Sequence, residues 1–465
     1  MSTSRAPWRG RRLHLLGVGG AGMSAYARAA HALGAQVSGS DRSASPFTQN
    51  LAADGVLHAY IGHDAAQVPA GDDVEVVYSS AVPAENPERV AARRRGLSER
   101  PRAHLLGELT ALRRTIAVAG AHGKTTTAAM IVHLLCAAGL QPGYLVGAMI
   151  GPGATNARWS EAEWLVVEAD ESDRSLLALE VEIAVLTNVE LDHHTAFGSV
   201  AELREVFRAF LDGPPQAVVW DRPDLLSLRA GPVVAYDVPA PTLMPGGSRF
   251  EWRGQEVRLR VPGAHNAVNA CAALEVGRLA GADRAVCAAA MPEFRSAARR
   301  FEFVGQTAAG ARVYDDYAHH PTEVAATLHG ARTLKAPRLV AVFQPHLYSR
   351  TRLLAGEFGR ALALADVVVV LEVYGARERP EEHPGVSGRL VAQAAADAGA
   401  GRTVYWLPSF ADVERTLSGL LGREDLVVVM GAGDSDALAR RLVAAGAGEP
   451  ARDQARAGSP PSLAS

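Results

Sequence analysis

Eight consecutive residues, Gly120-Ala121-His122-Gly123-Lys124-Thr125-Thr126-Thr127, combine one ammonium, two glycines and a run of hydroxyls. That chemistry suits the phosphates of a nucleotide. Lysine occurs only at positions 124 and 335 of the 465-residue chain, although arginine is abundant. A compact ammonium can follow a moving phosphoryl oxygen, whereas a guanidinium is bulkier and geometrically stiffer. Lysine kept in this loop therefore marks Lys124 as the phosphate lysine. The loop is shorter than a full Walker A pattern, which asks for glycine five residues before Gly123, where the chain has Val118. In the shortened form, Gly120, Gly123 and nearby amides face phosphate oxygens. Lys124 neutralises the β/γ charge and the Thr125 hydroxyl reaches Mg²⁺.

Further polar groups follow the same chemistry. Glu168-Ala169-Asp170-Glu171-Ser172-Asp173 ends an apolar run with acids, and Thr187-Asn188-Val189-Glu190-Leu191-Asp192-His193-His194 ends another with a histidine pair. Alone, such groups are more often surface acids or helix caps than metal ligands; beside a phosphate loop the balance reverses. Arg299-Arg300-Phe301-Glu302 and Tyr314-Asp315-Asp316-Tyr317-Ala318-His319-His320-Pro321 add arginines, paired acids and paired histidines. A second phosphate signal lies near the start, in Gly17-Val18-Gly19-Gly20-Ala21-Gly22. The first glycine of this pattern permits a tight turn, the second a close approach to phosphate, and the third close helix packing. Asp41 follows at the end of the next apolar run, placed for a ribose hydroxyl. From these residues alone, a nicotinamide or flavin dinucleotide is the default ligand, although the pattern specifies a diphosphate more firmly than its identity.

Positioning these groups requires alternating strands and helices. Short β-rich runs alternate with alanine-rich stretches throughout, the pattern of parallel sheets covered by helices. Strands are expected at 13–17, 35–40, 115–119, 164–168, 183–189, 339–343, 367–371 and 426–430, with helices at 22–33 and 124–138. Residues 213–262 read as a peripheral hairpin region, a third unit opens near 301, and the tail from about 446 reads as disordered. The expected fold class is α/β, with three domains in series. Their boundaries are 1–106 for a Rossmann-like domain, 107–299 for a central phosphate-loop domain and 300–446 for a Rossmann-like carboxyl-terminal domain, before a tail at 447–465. A net charge of −3 gives no reason to expect nucleic acid or an anionic membrane as partner. No apolar run reaches the length of a membrane span. Arg5 to Met23 superficially resembles a secretory signal, but its apolar part is short and runs into a glycine turn. Cys136, Cys271 and Cys287 form no ligand-spaced cluster, which fits a reducing, cytoplasmic setting.

Taken in order, the motifs resemble those of the Mur ligases. The ordered set is Gly17–Ser24, Ser79-Ser80-Ala81 with Asn86-Pro87-Glu88, Gly120–Thr127, Glu168–Asp173, Asn188–His193, His265-Asn266-Ala267-Val268-Asn269-Ala270, Arg300-Phe301, Asp315–Glu323 and Phe343–Arg352. The resemblance covers roughly residues 10–440 and is strongest to the alanine-adding branch. It implies UDP-N-acetylmuramate and L-alanine as substrates, ATP and Mg²⁺ as cofactors, and a monomer or weak homodimer. The UDP-sugar would lie at Gly17, Gly19, Gly20, Ala21, Gly22, Asp41, Ser79 and Ser80. ATP would be held by Gly120, Ala121, His122, Gly123, Lys124, Thr125 and Thr126, with His265, Asn266 and Asn269 bordering adenine and ribose. Thr125 would hold one Mg²⁺, and Glu168 with His193 another. Arg300 and Asp316 would approach the nucleotide, and His346 and Arg350 would orient L-alanine or the muramyl carboxylate under a closing third domain. His193, His319 and His346 are candidate bases for the amine.

Two departures stand out. The family's usual Gln-Pro-His-Arg-Tyr is here Gln344-Pro345-His346-Leu347-Tyr348, so one guanidinium grip on the amino-acid carboxylate is missing, and Arg350 and Arg352 are the candidates to replace it. The carbamylated lysine of several sister ligases has no counterpart between Lys124 and Lys335.

Overall fold

Val367–Val370 and Asp425–Met430 are buried along their whole length, as strands must be when helices cover both faces of a parallel sheet. The computed structural model describes residues 6–151, 153–192 and 197–444. The chain divides into two compact units. The first runs to Glu302 and also contains His320–Lys335; the second comprises Phe303–His319 and the residues from 336 onward.

The first unit holds two mainly parallel sheets. One is ordered Tyr60–Ile61, Gln36–Asp41, Arg12–Leu16, Val74–Tyr78 and Ser98–Pro101, parallel throughout. Strand order reverses between Arg12–Leu16 and Val74–Tyr78, so a ligand crevice opens beyond their carboxyl ends. The glycine turn follows the first of these strands and Ser79-Ser80 the second.

The other sheet is ordered Val234–Tyr236, Gln216–Trp220, Ile183–Leu186, Arg114–Ala119, Trp164–Glu168, Gly143–Ile150 and Thr155–Arg158, with only the last pair antiparallel. The central strand Arg114–Ala119 runs into the lysine loop. Its two neighbours end at Glu168 and just before Thr187, so three sets of polar groups share one edge. The helix Lys124–Ala137 is small or apolar on nearly every face and packs on Ala264–Leu279, as suits a helix in the interior of a domain.

Some expectations change. The strand expected over 183–189 stops at Leu186, because the Thr187 and Asn188 side chains bond the carbonyl of His122 at 2.6 and 2.9 Å. The 213–262 region is not wholly peripheral. Gln216–Trp220 and Val234–Tyr236 extend the seven-stranded sheet, and only Thr242–Met244, Gly247–Trp252 and Gln255–Leu259 form a separate antiparallel sheet. The unit expected near 301 begins at Phe303 but does not include His320–Lys335. The tail lies outside the described residues.

In the second unit a six-stranded sheet is ordered Glu302–Gln306, Arg312–Asp316, Asp425–Met430, Arg338–Phe343, Val367–Val370 and Thr403–Trp406. The pairings from Arg312–Asp316 onward are parallel. Among the described residues no helix is long and apolar enough to cross a membrane.

Candidate active site

Gly120 and Gly123 have φ of 128° and 82°, a backbone that glycine adopts without strain. Side chains would not fit at either place. A Cβ on Gly120 would lie 2.2 Å from Thr187 Oγ1, and one on Gly123 would lie 2.8 Å from Asn269 Oδ1. Asn188 fixes the turn further, accepting from the amides of Ala121 (3.3 Å) and His122 (2.9 Å). Beyond the turn, the helix at Lys124 presents its amino-terminal N–H groups, which favour an anion.

Lys124 Nζ donates to the Gly120 carbonyl at 2.5 Å and lies 3.1 Å from Glu171 Oε2. Burial opposes its charge, but Glu171 and Asp170 more than offset that and hold its pKa above the ordinary lysine value. Thr125 Oγ1 donates to Glu168 Oε2 at 3.0 Å, while Glu168 Oε1 accepts from the Gly147 amide. Burial pushes the Glu168 carboxyl up. Asp170 goes the other way: burial opposes its charge, yet Arg102 and Lys124 hold it well below the usual range. Arg300 Nη2 is 3.4 Å from Thr125 Oγ1, so this guanidinium sits beside the hydroxyl expected to face metal. A hydroxyl and a carboxylate converging on one point form a donor set suited to Mg²⁺. His193, expected to share the second ion with Glu168, lies outside the described residues.

The remaining nucleotide candidates sit on the helix Ala264–Leu279. Asn266 Nδ2 donates to the Pro262 carbonyl (2.8 Å) and Asn269 abuts Gly123, while His265 is exposed. Thr126 is buried in the first turn of the lysine helix.

At the glycine turn each of the three motif glycines meets a different neighbour. A Cβ on Gly17 would lie 3.0 Å from Ser79 Cβ, one on Gly19 2.8 Å from Asp41 Oδ2, and one on Gly22 3.0 Å from Arg102 Nη1. Asp41 Oδ2 accepts from the Gly19 amide at 2.8 Å, so its carboxylate braces the turn itself. Gly20 precedes the helix Ala21–Ala32, and buried Asn156 donates to the Ala21 carbonyl at 2.6 Å and to Ser24 Oγ at 2.8 Å. Ser80 is exposed beside Ser79.

In the second unit, Asp316 ends its strand buried and accepts from the Ala318 amide at 2.8 Å. Arg350 Nη1 donates to His346 Nδ1 at 3.1 Å, and the His346 ring stacks on Tyr374 with centroids 5.9 Å apart. Arg350 is buried and Arg352 exposed, so Arg350 is the guanidinium held near His346. Leu347 is buried with φ 68° and ψ 133°, a conformation costly for any residue with a Cβ. Its amide donates to the Tyr374 carbonyl at 3.0 Å.

Sequence reasoning missed four residues here. Glu171 holds Lys124, and Glu190 accepts from His122 Nε2 at 2.7 Å; both lay inside quoted motifs without an assigned role. Gln344, at the end of Arg338–Phe343, donates to Asp434 at 2.8 Å. Tyr374 belongs to no pattern, and nothing in its neighbours marks it.

Fold and site together define an α/β nucleotide-binding protein whose lysine loop sits at the carboxyl edge of a parallel sheet. Comparison with known proteins narrows this class. The chain matches "Mur ligase family, catalytic domain" over residues 12–114, "Mur ligase middle domain" over 118–277 and "Mur ligase, glutamate ligase domain" over 299–433. The protein belongs to the Mur ligase family. It is 44% identical over 453 residues to UDP-N-acetylmuramate–L-alanine ligase of Rubrobacter xylanophilus, covering 93% of this chain and 99% of that one. It is 41% identical over 460 residues to the ligase of the same name from Mycolicibacterium smegmatis, covering 91% and 92%. Among solved structures, the UDP-N-acetylmuramate-alanine ligase of Thermotoga maritima superposes with a TM-score of 0.81 at 28% identity, covering 93% of this chain and 98% of that one. A murein peptide ligase from Psychrobacter arcticus shares the fold, with a TM-score of 0.71 at 23% identity over 95% of this chain and all of that one.

Proposed function

We propose that this protein joins L-alanine to the lactoyl carboxylate of UDP-N-acetylmuramate at the expense of ATP, through an acyl phosphate, in cytoplasmic peptidoglycan precursor synthesis. The observation that carries this reading is the convergence of Lys124, Thr125 and Glu168 at one sheet edge, in a chain aligned nearly end to end with alanine-adding relatives. Residues 1–106 would take the UDP-sugar, 107–299 ATP, and 300–446 the amino acid, in a monomer or weak homodimer.

The chemistry follows from the acid. A free carboxylate is a poor acyl donor because oxide would have to leave. In-line attack of its oxygen on the γ-phosphorus of ATP breaks the bond to the β-bridging oxygen and releases ADP. The loop amides of residues 120–123 cradle the phosphates, and Lys124 neutralises charge on the transferring group; catalysis there is mostly positioning and electrostatics. Mg²⁺, when bound, spreads the remaining negative charge; Thr125 would hold one ion and Glu168 with His193 another. Asn266 and Asn269 border the nucleoside, with His265 at the rim.

L-Alanine then attacks as the free amine, displacing phosphate. Among the candidate bases the tautomers differ. His346 Nδ1 accepts from Arg350, which leaves the proton on Nε2 and suits an orienting role. His319 Nδ1 lies 2.9 Å from the Tyr317 carbonyl; donating there leaves Nε2 as the basic nitrogen. His319 is therefore the base this reading favours, while His346 and Arg350 would orient L-alanine or the muramyl carboxylate.

The test is phosphate release from purified protein with ATP, UDP-N-acetylmuramate and L-alanine, each omitted in turn. Release is expected only with all three present. Equal release without the sugar nucleotide or without alanine would overturn the reading, and turnover with a preformed peptide but not alanine would assign the chain to a sister activity.

A further inference from the structure

Three residues far apart in sequence meet beside the lysine loop, none of them in the hydrogen bond that joins Thr125 to Glu168. His122 belongs to the loop, Glu190 follows the strand Ile183–Leu186, and His320 precedes the helix Pro321–Arg332, which belongs to the first unit. One nitrogen from each imidazole and one carboxylate oxygen lie within 4.8 Å of one another. His122 Nε2 is 2.7 Å from Glu190 Oε2, and His320 Nδ1 is 3.9 Å from the same oxygen. The two rings approach to 4.7 Å between centroids, and His320 is buried.

We propose that His122, Glu190 and His320 form a binding site for a borderline divalent cation of the zinc class. Two imidazoles and one carboxylate are a nitrogen-rich set, favoured by Zn²⁺ or Co²⁺ and poorly suited to Mg²⁺, which takes oxygen ligands. Tetrahedral zinc with ligands at about 2.0–2.1 Å holds its donor atoms about 3.3 Å apart. The two separations from Glu190 Oε2 fall on either side of that distance, and His320 Nδ1 caps the helix Pro321–Arg332 only through a long 3.4 Å bond from the Thr322 amide, which the ion would replace. The surroundings already orient the donors. Glu323 Oε1 lies 3.2 Å from His122 Nδ1, so a carboxylate flanks that side of the ring while Nε2 faces Glu190 and the proposed ion. Thr322 Oγ1 donates to Glu190 Oε1 at 2.8 Å, which leaves Oε2 as the ligand. Outer partners of this kind commonly set the tautomer and ring orientation of metal-ligating histidines. On binding, the proton now shared between His122 Nε2 and Glu190 goes to solvent. The bound ion ties the helix Pro321–Arg332 to the lysine loop, and a fourth position remains for water.

Metal-stripped full-length protein is dialysed against Zn²⁺ in the presence of excess Mg²⁺, which occupies the oxygen-rich pair. A single zinc per chain is expected, with affinity lowered about tenfold or more in Glu190→Gln and in His320→Asn; asparagine can still cap the helix. X-ray absorption of the zinc-loaded wild type is expected to count two imidazoles. No zinc uptake, unchanged affinity in both folded variants, loss of zinc in Glu168→Gln instead, or a spectrum with fewer than two imidazoles would overturn the site. The cluster would then be an ion-pair network only. Because the assay uses no substrate, its outcome is independent of the ligase reading.

Discussion

Lys124 is gripped by a carboxylate and the loop carbonyls, much the same oxygen environment that a triphosphate would supply. Its charge is therefore maintained before any substrate arrives, and removing it strips the loop of its only ammonium. Lys124→Ala is expected to lower ligation by on the order of a thousandfold, the scale of losing one strong transition-state contact. UDP-N-acetylmuramate affinity should be unchanged, because the glycine turn lies in another sheet. Phosphate release and calorimetric titration of the sugar nucleotide check the two halves, and near-normal release would remove Lys124 from the mechanism. This residue was legible because lysine is so rare in the chain. Glu171 was not: strand alternation ends at Glu168, and past that point only the turn decides which acid of the 168–173 run faces the ammonium. Leu347 shows another limit, since its absent guanidinium could be read from sequence but its positive φ could not.

At the level of single elements, the buried apolar runs were readable and their polar interruptions were not. The strand at 183–186 stops early because Thr187 and Asn188 serve the lysine loop, a tertiary demand that local pattern does not carry. The first sheet shows the same effect. His14, in the strand Arg12–Leu16, lies 2.6 Å from Glu88 at the start of the helix Pro87–Arg94, and both are fully buried. Ser40 and His63 complete the set at 2.7 Å each. Burial opposes the Glu88 charge, but the hydrogen bonds from His14, Ser40 and His63 prevail and hold its pKa below the ordinary 4.5. A depressed carboxylate stabilises the fold fully above the unfolded value and loses that contribution as pH falls through the folded one. Glu88→Gln should cost about 3 kcal/mol, since it leaves buried partners without their carboxylate. It should also flatten the decline in stability below pH 4.5. Urea unfolding at neutral and acid pH tests both; unchanged stability at neutral pH would show that Glu88 is not what binds the helix to the sheet.

For the molecule as a whole, the order of the three α/β segments could be read from the motifs, but not the path of the chain between the units. A sequence read in series assigns everything after residue 300 to one domain, whereas His320–Lys335 is part of the first unit. Within that unit the helix Pro321–Arg332 packs against Ala264–Leu279, and Gly330 meets the Pro262-Gly263 backbone, with a Cβ there at 3.5 Å from Gly263 N. That turn opens the helix carrying His265, Asn266 and Asn269, so the crossing segment sets the entry to the proposed nucleoside border. Alanine at 330 fits at ordinary contact distance; a longer side chain must push the two backbones apart, at a cost of about 1–3 kcal/mol. Gly330→Leu is therefore expected to raise the apparent KM for ATP several-fold and to leave that for UDP-N-acetylmuramate unchanged, while Gly330→Ala changes neither. Steady-state phosphate release at varied ATP, then at varied sugar nucleotide, measures both quantities. If Gly330→Leu left the KM for ATP unchanged, or shifted both values equally, the crossing helix would have no specific hold on the nucleotide end of the first unit.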